Sequence, residues 1–399
     1  MTAMASGSAR ISRRRLLRNT GLVGAAAIGA PALAACGTDP VSSAGPSAED
    51  VSATDTNLRF DNWPLYIDVS EEDENVRPTL QAFEEETGIG VEYVEAINSN
   101  EEYFAKISPQ LSAGQATGAD VFVVTDWLVA RLISLGWLQE LNQDNLTTVA
   151  ANIDPALQDP GFDPGRLFSV PWQSGITGIA YNAKALPGGI TSLDQLLTDP
   201  ALTGKVTLFS GMRESLPLLA AAQGNGLTGF TDADVDAAIA KVERAVADGQ
   251  IRRFTGNDYA DDLAQGNVVA ALAWSGDVAQ LQFDNPDLQF VIPDEGGELW
   301  SDNMVVPVGA TRKTNAERLM DWYYQPEMAA DLVNWVGYVC PVPAAKEVLL
   351  GYGDEFSVAT ANSPLVFPSA GDLSDVSVSR ELSDDEEARY ETDWNSVVT

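Results

Sequence analysis

The sequence contains no histidine and only two cysteines, Cys36 and Cys340. The lack of histidine excludes Ser-His-Asp and Cys-His catalytic arrangements, histidine general bases and histidine-ligated zinc. Two cysteines cannot form a disulfide framework or a cysteine metal cluster. These absences remove several common hydrolytic and metal-dependent functions from consideration.

Positive charge is also scarce, with 23 Lys and Arg against 58 Asp and Glu and a formal net charge of −35. Five arginines precede the first acid, so the rest of the chain has 18 basic and 58 acidic residues and a net charge of −40. Such a surface repels nucleic acid and anionic lipid and attracts cations, which excludes nucleic-acid partners. A cationic ligand would explain this acidity, and adaptation for solubility or salt is the alternative explanation.

Motifs for nucleotide binding are absent, because the glycine-rich turns lack the spacing and the lysine of a dinucleotide fingerprint or a P-loop. Asp232, Asp234 and Asp236 resemble part of a calcium loop. Ala237 occupies the position at which such loops carry glycine, and the segment is typical of a capped helix with an acidic first turn. Paired carboxylates with tryptophans would suit a glycoside hydrolase, although spacing alone places no pair. We predict neither a cofactor nor a metal site.

The N-terminal segment has the features of an export signal. Arg13 and Arg14, with Ser12 and Leu17, match the twin-arginine signal. The apolar run at 21–35 is rich in small residues and is too short for a committed membrane span, so it suits a signal peptide.

The run ends in Leu-Ala-Ala-Cys-Gly, which resembles a bacterial lipobox with Cys36 as the lipidated first residue of the mature protein. We therefore predict a signal peptide at 1–36. Residues 37–56 contain no aromatic residue and are rich in Ser, Ala, Pro, Thr, Asp and Gly, so they predict a flexible tether.

At 399 residues with 45% hydrophobic residues, the chain is long enough for two lobes with real cores. Strand and helix patterns alternate from about residue 57, and they predict two separate strands at 167–171 and 178–181. The apolar runs at 120–124 and 268–273 are typical of parallel strands covered on both faces. We predict an α/β protein, and ligands of open α/β sheets bind at the carboxyl ends of strands.

Aromatic residues accompanied by an acid or a hydroxyl recur where the predicted strands end. The clusters are Trp63 with Tyr66, Thr125 with Asp126 and Trp127, Glu214, Trp274, and Trp300 with Asp302. Indole and phenol rings attract ammonium groups by up to about 2 kcal/mol each when desolvated, and carboxylates neutralise the buried charge. A lone tryptophan is more often part of a core, but this recurrence predicts a cage for an organic cation.

Four segments, in this order, resemble the spermidine/putrescine-binding proteins of ABC importers. They are Asp-Asn-Trp-Pro-Leu-Tyr-Ile at 61–67, the strand and threonine at 120–125, Glu-Gly-Gly-Glu-Leu-Trp-Ser-Asp at 295–302, and Gly337-Tyr338. The resemblance covers nearly all of residues 57 to 350. It implies a two-lobed periplasmic-binding-protein fold of type II. Each lobe would have a central mixed β-sheet flanked by helices, and the lobes would close on a polyamine in the cleft between them.

On this basis we place lobe 1 at 57–171 and 303–343 and lobe 2 at 172–302 and 344–399. The resemblance also implies the ligand contacts, residue by residue. These are Trp63, Tyr66, Thr125, Trp127, Glu214, Trp274, Trp300, Asp302 and Tyr338. The aromatic residues would enclose the alkyl chain, and the two acids would pair with its ammonium groups.

Two departures from the family pattern affect the ligand. Gly211 stands where the spermidine binders carry an Asp, and Leu65 stands where an acidic or polar residue is often found. A missing carboxylate favours a diamine or a modified amine over a trication, unless Asp61 or Asp126 compensates.

We therefore predict a monomeric, non-enzymatic receptor that Cys36 anchors to the outer face of the cytoplasmic membrane and that delivers a diamine or polyamine to an ABC permease. A ferric-iron receptor would need clustered tyrosines, and only Tyr323-Tyr324 forms a pair. A sugar receptor or an acid-pair glycoside hydrolase remains an alternative. Cys340 is expected to be a buried thiol without a role, and no element is assigned to the acid-rich tail after Gly371.

Overall fold

The structure is a computed structural model, and it describes residues 48–70 and 72–398. The predicted signal peptide, Cys36 and most of the predicted tether lie outside the described residues. Within them, no helix combines the length and the apolar character needed to cross a bilayer.

A ten-stranded mixed sheet organises the described part of the chain. Its strands are β1 (Asn57–Asn62), β2 (Gly90–Glu95), β3 (Val121–Thr125), β4 (Ser169–Asn182), β5 (Val206–Phe209), β6 (Ile251–Thr255), β7 (Ala270–Trp274), β8 (Leu288–Val291), β9 (Gly297–Val305) and β10 (Val376–Ser377). The spatial order is β2-β1-β3-β9-β4-β7-β5-β6, with β8 paired to β4 and β10 paired to β9. The β1, β2 and β3 ladders are parallel, as are those of β5 with β6 and β7.

Strands β4 and β9 pair antiparallel and connect the two parallel groups. The sequence patterns predicted two separate strands at 167–171 and 178–181, but β4 is one strand of 14 residues. A register shift between Pro171 and Gln173 interrupts its pairing with β9. Proline has no N–H to donate, so the ladder bulges at this point instead of ending.

The described residues also form fourteen α-helices. They are α1 (Pro78–Thr87), α2 (Asn100–Ser112), α3 (Asp126–Ser134), α4 (Thr147–Asn152), α5 (Leu193–Thr198), α6 (Met212–Ala221), α7 (Asp232–Ala247), α8 (Tyr259–Gln265), α9 (Ser275–Asp284), α10 (Lys313–Trp322), α11 (Pro326–Val336), α12 (Ala345–Tyr352), α13 (Glu355–Ala361) and α14 (Asp384–Val398). The Ser99 side chain caps α2 by accepting a hydrogen bond from the Glu102 N–H. Thr231 and Asp234 form a capping box at α7, so the calcium-like segment is a capped helix.

Two segments for which the sequence predicted no helix or strand pack against the folded body. They are the end of the predicted tether and the acid-rich tail. Asp50 accepts hydrogen bonds from Thr314, and the Val51 N–H donates to the Thr311 carbonyl. The last part of the predicted tether is therefore docked, and the folded body begins before residue 57. In the acid-rich tail, α14 packs against α6 and α7 and buries Trp394 completely.

Candidate functional site

One cavity of about 580 Å³, including its mouth, lies at the carboxyl ends of β1, β3, β5 and β7 and against the central part of β9. All nine residues that the sequence analysis selected as ligand contacts line this cavity. Residues from both parallel groups of strands, which β4 and β9 connect, contribute to the walls of the cavity. Neighbouring parallel strands present their carboxyl ends at one edge of a sheet, which explains why residues far apart in sequence converge here.

The turn after β1 supplies one aromatic wall. Trp63 and Tyr66 are 5% and 4% exposed, and the Trp63 indole donates a hydrogen bond to the Val123 carbonyl at 3.0 Å. Leu65 has a left-handed backbone with φ of 58°, and it does not line the cavity. This conformation turns the chain sharply between the two rings, so both rings enter the site.

The rings of Trp274, Trp300 and Tyr338 continue this aromatic wall, with Trp274 and Tyr338 in edge-to-face contact with Trp63 and Tyr66. Trp274 lies 5.8 Å from Trp63 and 6.1 Å from Trp300 between ring centroids, both edge to face. Tyr338 lies 4.9 Å from Tyr66. The Trp300 indole donates to Thr177 Oγ1 at 3.0 Å, which fixes the ring.

A chain of hydrogen bonds connects the two predicted ammonium partners, Glu214 and Asp302. The Asn100 amide donates to Glu214 Oε1 at 3.3 Å and to Thr125 Oγ1 at 2.9 Å. The Thr125 hydroxyl in turn donates to Asp302 Oδ1 at 2.7 Å. This path is about 9 Å long, so the direct distance between Glu214 Oε1 and Asp302 Oδ1 is at most about 9 Å.

Burial raises the pKa of two carboxyl groups of the cavity, Asp302 and Glu298. The pKa of Asp302 rises to about 7, although the hydroxyls of Thr125 and Tyr66 lower it in part. The pKa of Glu298 rises to about 8 against the opposing effect of Arg213. Charged carboxylates are costly in such a site unless a cation accompanies them, so an entering cation would stabilise their ionised forms.

Asp277 differs because three donors already satisfy its carboxylate. Tyr338 donates to Oδ1 at 2.6 Å, and Tyr259 and Asn257 donate to Oδ2 at 2.8 and 2.9 Å. Burial still raises the pKa of Asp277 to about 6, because these hydrogen bonds offset the loss of solvent only in part. Asp277 thus holds the Tyr338 ring in place.

Arg213 is the only basic residue among the described residues that line the cavity. Its guanidinium group lies 5.4 Å from the Trp127 ring centroid and pairs with Glu387 of α14 at 2.8 Å. One face of Trp127 is therefore occupied by a cation of the protein itself. Glu387 also pairs with Arg131 of α3 at 3.4 Å, so α14 connects both sides of the cleft.

Sequence reasoning missed several cavity residues. They are Pro64, Asn100, Thr177, Arg213, Asn257, Asp277 and Glu298. A signal existed for Glu298, because residues 298, 300 and 302 alternate along β9 and so share one face of the strand. Asn100 and Asn257 gave no such signal, because each enters the site from an element that the sequence did not associate with it.

The two acids considered as compensating charges lie elsewhere. Asp61 accepts hydrogen bonds from Arg59 and Tyr103, and Asp126 accepts from Ser301 and Asn303. Neither lines the cavity.

The tyrosine pair considered for iron does not line the cavity either. Tyr323 lies 2.9 Å from the Thr79 hydroxyl, and Tyr324 donates to the Pro171 carbonyl. No group of three potential metal ligands occurs in residues 48–70 and 72–398. Cys340 is buried, and burial raises the pKa of its thiol to about 12.

Comparisons with known proteins identify similar chains. A family profile described as bacterial extracellular solute-binding protein matches residues 79–364. The spermidine/putrescine-binding periplasmic protein of Salmonella typhimurium is 27% identical over 331 residues, which is 83% of this chain and 88% of that protein. The putrescine/cadaverine-binding protein of Pseudomonas aeruginosa is 30% identical over 299 residues, covering 71% of this chain and 79% of that protein.

Among solved structures, the spermidine/putrescine ABC transporter substrate-binding protein of Streptococcus pneumoniae superposes with a TM-score of 0.67 at 26% identity. The match covers 86% of this chain and 98% of that chain. The similarity therefore extends over most of the chain.

Proposed function

The chain belongs to the bacterial extracellular solute-binding protein family, and from that premise we propose that it captures a diamine or polyamine and delivers it to the permease of an ABC importer. The observation that carries this proposal is the cavity in which the rings of Trp63, Tyr66, Trp274, Trp300 and Tyr338 surround a space bordered by carboxylates. Its homologues are solute-binding components of transport systems rather than enzymes.

The chemistry of the cavity suits an alkyl chain with a positive charge at each end. The ring faces attract ammonium groups and pack against methylene groups, and together they exclude water. Glu214 and Asp302 supply the negative charges. A neutral sugar would leave these buried acids without compensation, which is why we favour an amine.

Within the amines we propose a diamine as the preferred ligand. Asp277 is satisfied by three donors and Glu298 faces Arg213, so Glu214 and Asp302 are the acids open to a ligand. Their separation of at most about 9 Å can be bridged by a four-carbon diamine, whose nitrogens lie roughly 6 Å apart when extended. The absence of a carboxylate at Gly211 supports the same choice, because a third ammonium would lack a partner.

Lobe closure is the mechanism that we propose for capture. The proposed boundaries at 171/172 and 302/303 fall on paired positions of β4 and β9, next to the register shift. The pairing of Ser174 with Val339 is a third point at which the two proposed lobes meet. A bulge interrupts the regular ladder, so rotation of lobe 1 (57–171 and 303–343) against lobe 2 (172–302 and 344–399) would occur here.

We also propose that the protein is exported, acts as a monomer and is anchored at Cys36 to the outer face of the cytoplasmic membrane. One chain supplies the whole cavity, so binding needs no second subunit. Metabolic labelling with radioactive palmitate tests the anchor. Cys36→Ala should abolish labelling, Cys340→Ala should retain it, and labelling that survives Cys36→Ala would refute the anchor.

Titration calorimetry of the purified protein tests the ligand class. Putrescine and cadaverine should bind more tightly than spermidine and spermine, and glucose and succinate should give no binding heat. If a sugar or a carboxylate binds while all four amines fail, the proposed ligand class is wrong.

A further inference from the structure

Glu101, in the first turn of α2, is a half-buried residue that lies beside the cavity and is not one of its lining residues. Neither of its carboxylate oxygens is accessible to solvent, and neither accepts a hydrogen bond of good geometry from the described residues. Its immediate neighbour in the chain, Asn100, lines the cavity and contacts Glu214. An unpaired buried carboxylate is costly, so its position needs an explanation.

The space above Gly211 brings Glu101 next to Glu214. A methyl group on Gly211 would overlap the Glu214 carboxylate and would lie 2.8 Å from Glu101 Oε2. The two carboxylates therefore share the room that the missing side chain leaves. Glu101 comes from the β1–β3 side of the cleft and Glu214 from the β5–β7 side, so the pair forms across the cleft.

Two ionised carboxylates cannot occupy such a space together without a proton or a cation between them. Burial raises the pKa of Glu101 to about 7. The nearby backbone N–H groups of Glu101 and Arg213 oppose this rise, and the charge of Glu391 of α14 adds to it. Burial and then the Glu101 charge raise the pKa of Glu214 well above its usual range, and Glu298 adds to this while Asn100 opposes it.

We propose that Glu101 is a further ligand-contacting residue, and that the Glu101–Glu214 pair holds one proton in the ligand-free protein and releases it when a terminal ammonium group enters. The inference rests on the proposed function. The O–H bond between proton and pair breaks, the proton passes to the buffer, and N–H groups of the ammonium donate to both carboxylates. Glu101 thereby supplies, from the opposite side of the cleft, a second carboxylate for the same ammonium group that Glu214 contacts, and it adds no partner for a third ammonium.

Calorimetry of the full chain with putrescine tests this in two buffers of equal pH and different ionisation enthalpy. The difference in heat gives the number of protons released per ligand. Putrescine affinity should rise between pH 6 and pH 8 because the deprotonated pair binds the ammonium. In Glu101→Gln the number of protons released at pH 7 should fall by about one and the affinity should fall at least about tenfold.

Glu102→Gln is the matched control, because Glu102 lies on the same turn of α2 and is exposed. It should leave both the proton release and the affinity at their wild-type values. A Glu101→Gln protein that binds putrescine with unchanged proton release overturns the inference and leaves the proposed amine receptor intact. Wild-type protein that binds putrescine without releasing protons also overturns it, whether or not the variant folds. Failure of every amine to bind overturns both proposals.

Discussion

At the residue scale, Asp302 illustrates how the fold prepares a charge for a ligand. It lies on β9 between Ser301 and Asn303, it is 4% exposed, and burial raises its pKa to about 7. The Thr125 hydroxyl holds one carboxylate oxygen in place at 2.7 Å. The carboxyl group is therefore held in position. Among the described residues that line the cavity, Arg213 is the only cation, and its guanidinium group pairs with Glu387.

Asp302→Asn should weaken putrescine binding by at least about 30-fold, since losing one partner of a buried charge pair costs about 2 kcal/mol or more. The asparagine oxygen can still accept the Thr125 hydrogen bond, so the change removes charge with little change in shape. Glu243→Gln, at an exposed position on α7, is the control and should bind as the wild type does. Equal affinities for the two variants in calorimetry would remove Asp302 from the site.

Gly276 is a second example at the residue scale, because its lack of a side chain permits the ring of Tyr338 to approach closely. A methyl group on this residue of α9 would overlap the Tyr338 ring. Gly276→Ala should displace the ring, lower putrescine affinity about tenfold and destabilise the protein by about 1–3 kcal/mol. Gly351→Ala on α12 is the matched control, because a methyl group there meets no atom within 4 Å. Wild-type affinity in Gly276→Ala would show that the position of Tyr338 does not matter.

The sequence predicted the aromatic and acidic residues of this cavity better than the residues that contact them from distant elements. The aromatic residues and the two acids were found because they recur beside predicted strands. Trp300 and Asp302 lie within β9, however, and not in a loop after a strand, so period-two alternation places them there. Asn100, Glu101 and Asp277 depend on contacts between distant elements, which no local pattern reveals.

At the element scale, α14 stabilises the molecule through one large side chain. Trp394 is completely buried, donates to the Ser210 carbonyl at 2.9 Å and packs edge to face on Phe254 at 5.8 Å. Arg389 and Tyr390 of the same helix contact Asp232 at the start of α7. The acid-rich composition of the tail hid this helix in the sequence, because few residues anchor it.

Trp394→Ala should lower the free energy of unfolding by about 3–5 kcal/mol, the usual cost of truncating a buried aromatic side chain. Urea denaturation followed by circular dichroism measures this change. Thr392→Ala, at an exposed position of the same helix, should change stability by less than about 0.5 kcal/mol. A similarly small loss for Trp394→Ala would mean that α14 does not contribute to the cooperative core.

The sequence predicted that these strands exist, but it predicted less accurately where they begin and end. The apolar runs of β3 and β7 were found because both faces of these strands are buried. Strand β4 was divided into two because polar and small residues interrupt its apolar pattern, although all but its last two residues are buried. Its continuity depends on pairing with β7, β8 and β9, which is a tertiary effect.

At the scale of the whole molecule, the buried acids make stability depend on pH in an unusual direction. The pKa values of Glu101, Asp302 and Glu298 are raised to about 7, 7 and 8 by burial. Between pH 5 and pH 8 the folded state therefore binds more protons than the unfolded state. The free energy of unfolding should fall as pH rises through this window, by up to about 1.4 kcal/mol per pH unit for each group.

Urea denaturation of the ligand-free protein at pH 5, 6, 7 and 8 measures this trend. Glu298→Gln should reduce the fall. Glu386→Gln should shift stability equally at all four values, because an ion pair with Arg380 already holds the pKa of Glu386 at about 2. Stability that rises from pH 5 to pH 8 would contradict the assignment of buried, protonated acids.

The class of the whole molecule was predictable from the sequence, and the family match confirms it. Charge, the absence of histidine and the order of the aromatic motifs were sufficient for that. The continuous sheet and the docking of residues 50–55 were not predictable, because each depends on contacts over hundreds of residues.

A crystal structure of the protein with putrescine tests the central claim most directly. We expect one ammonium nitrogen within about 3.2 Å of Glu214 and the other within the same distance of Asp302, with the methylene chain packed against the aromatic rings that line the cavity. Electron density for the diamine outside this cleft, or inside it with neither acid in contact, would contradict the account.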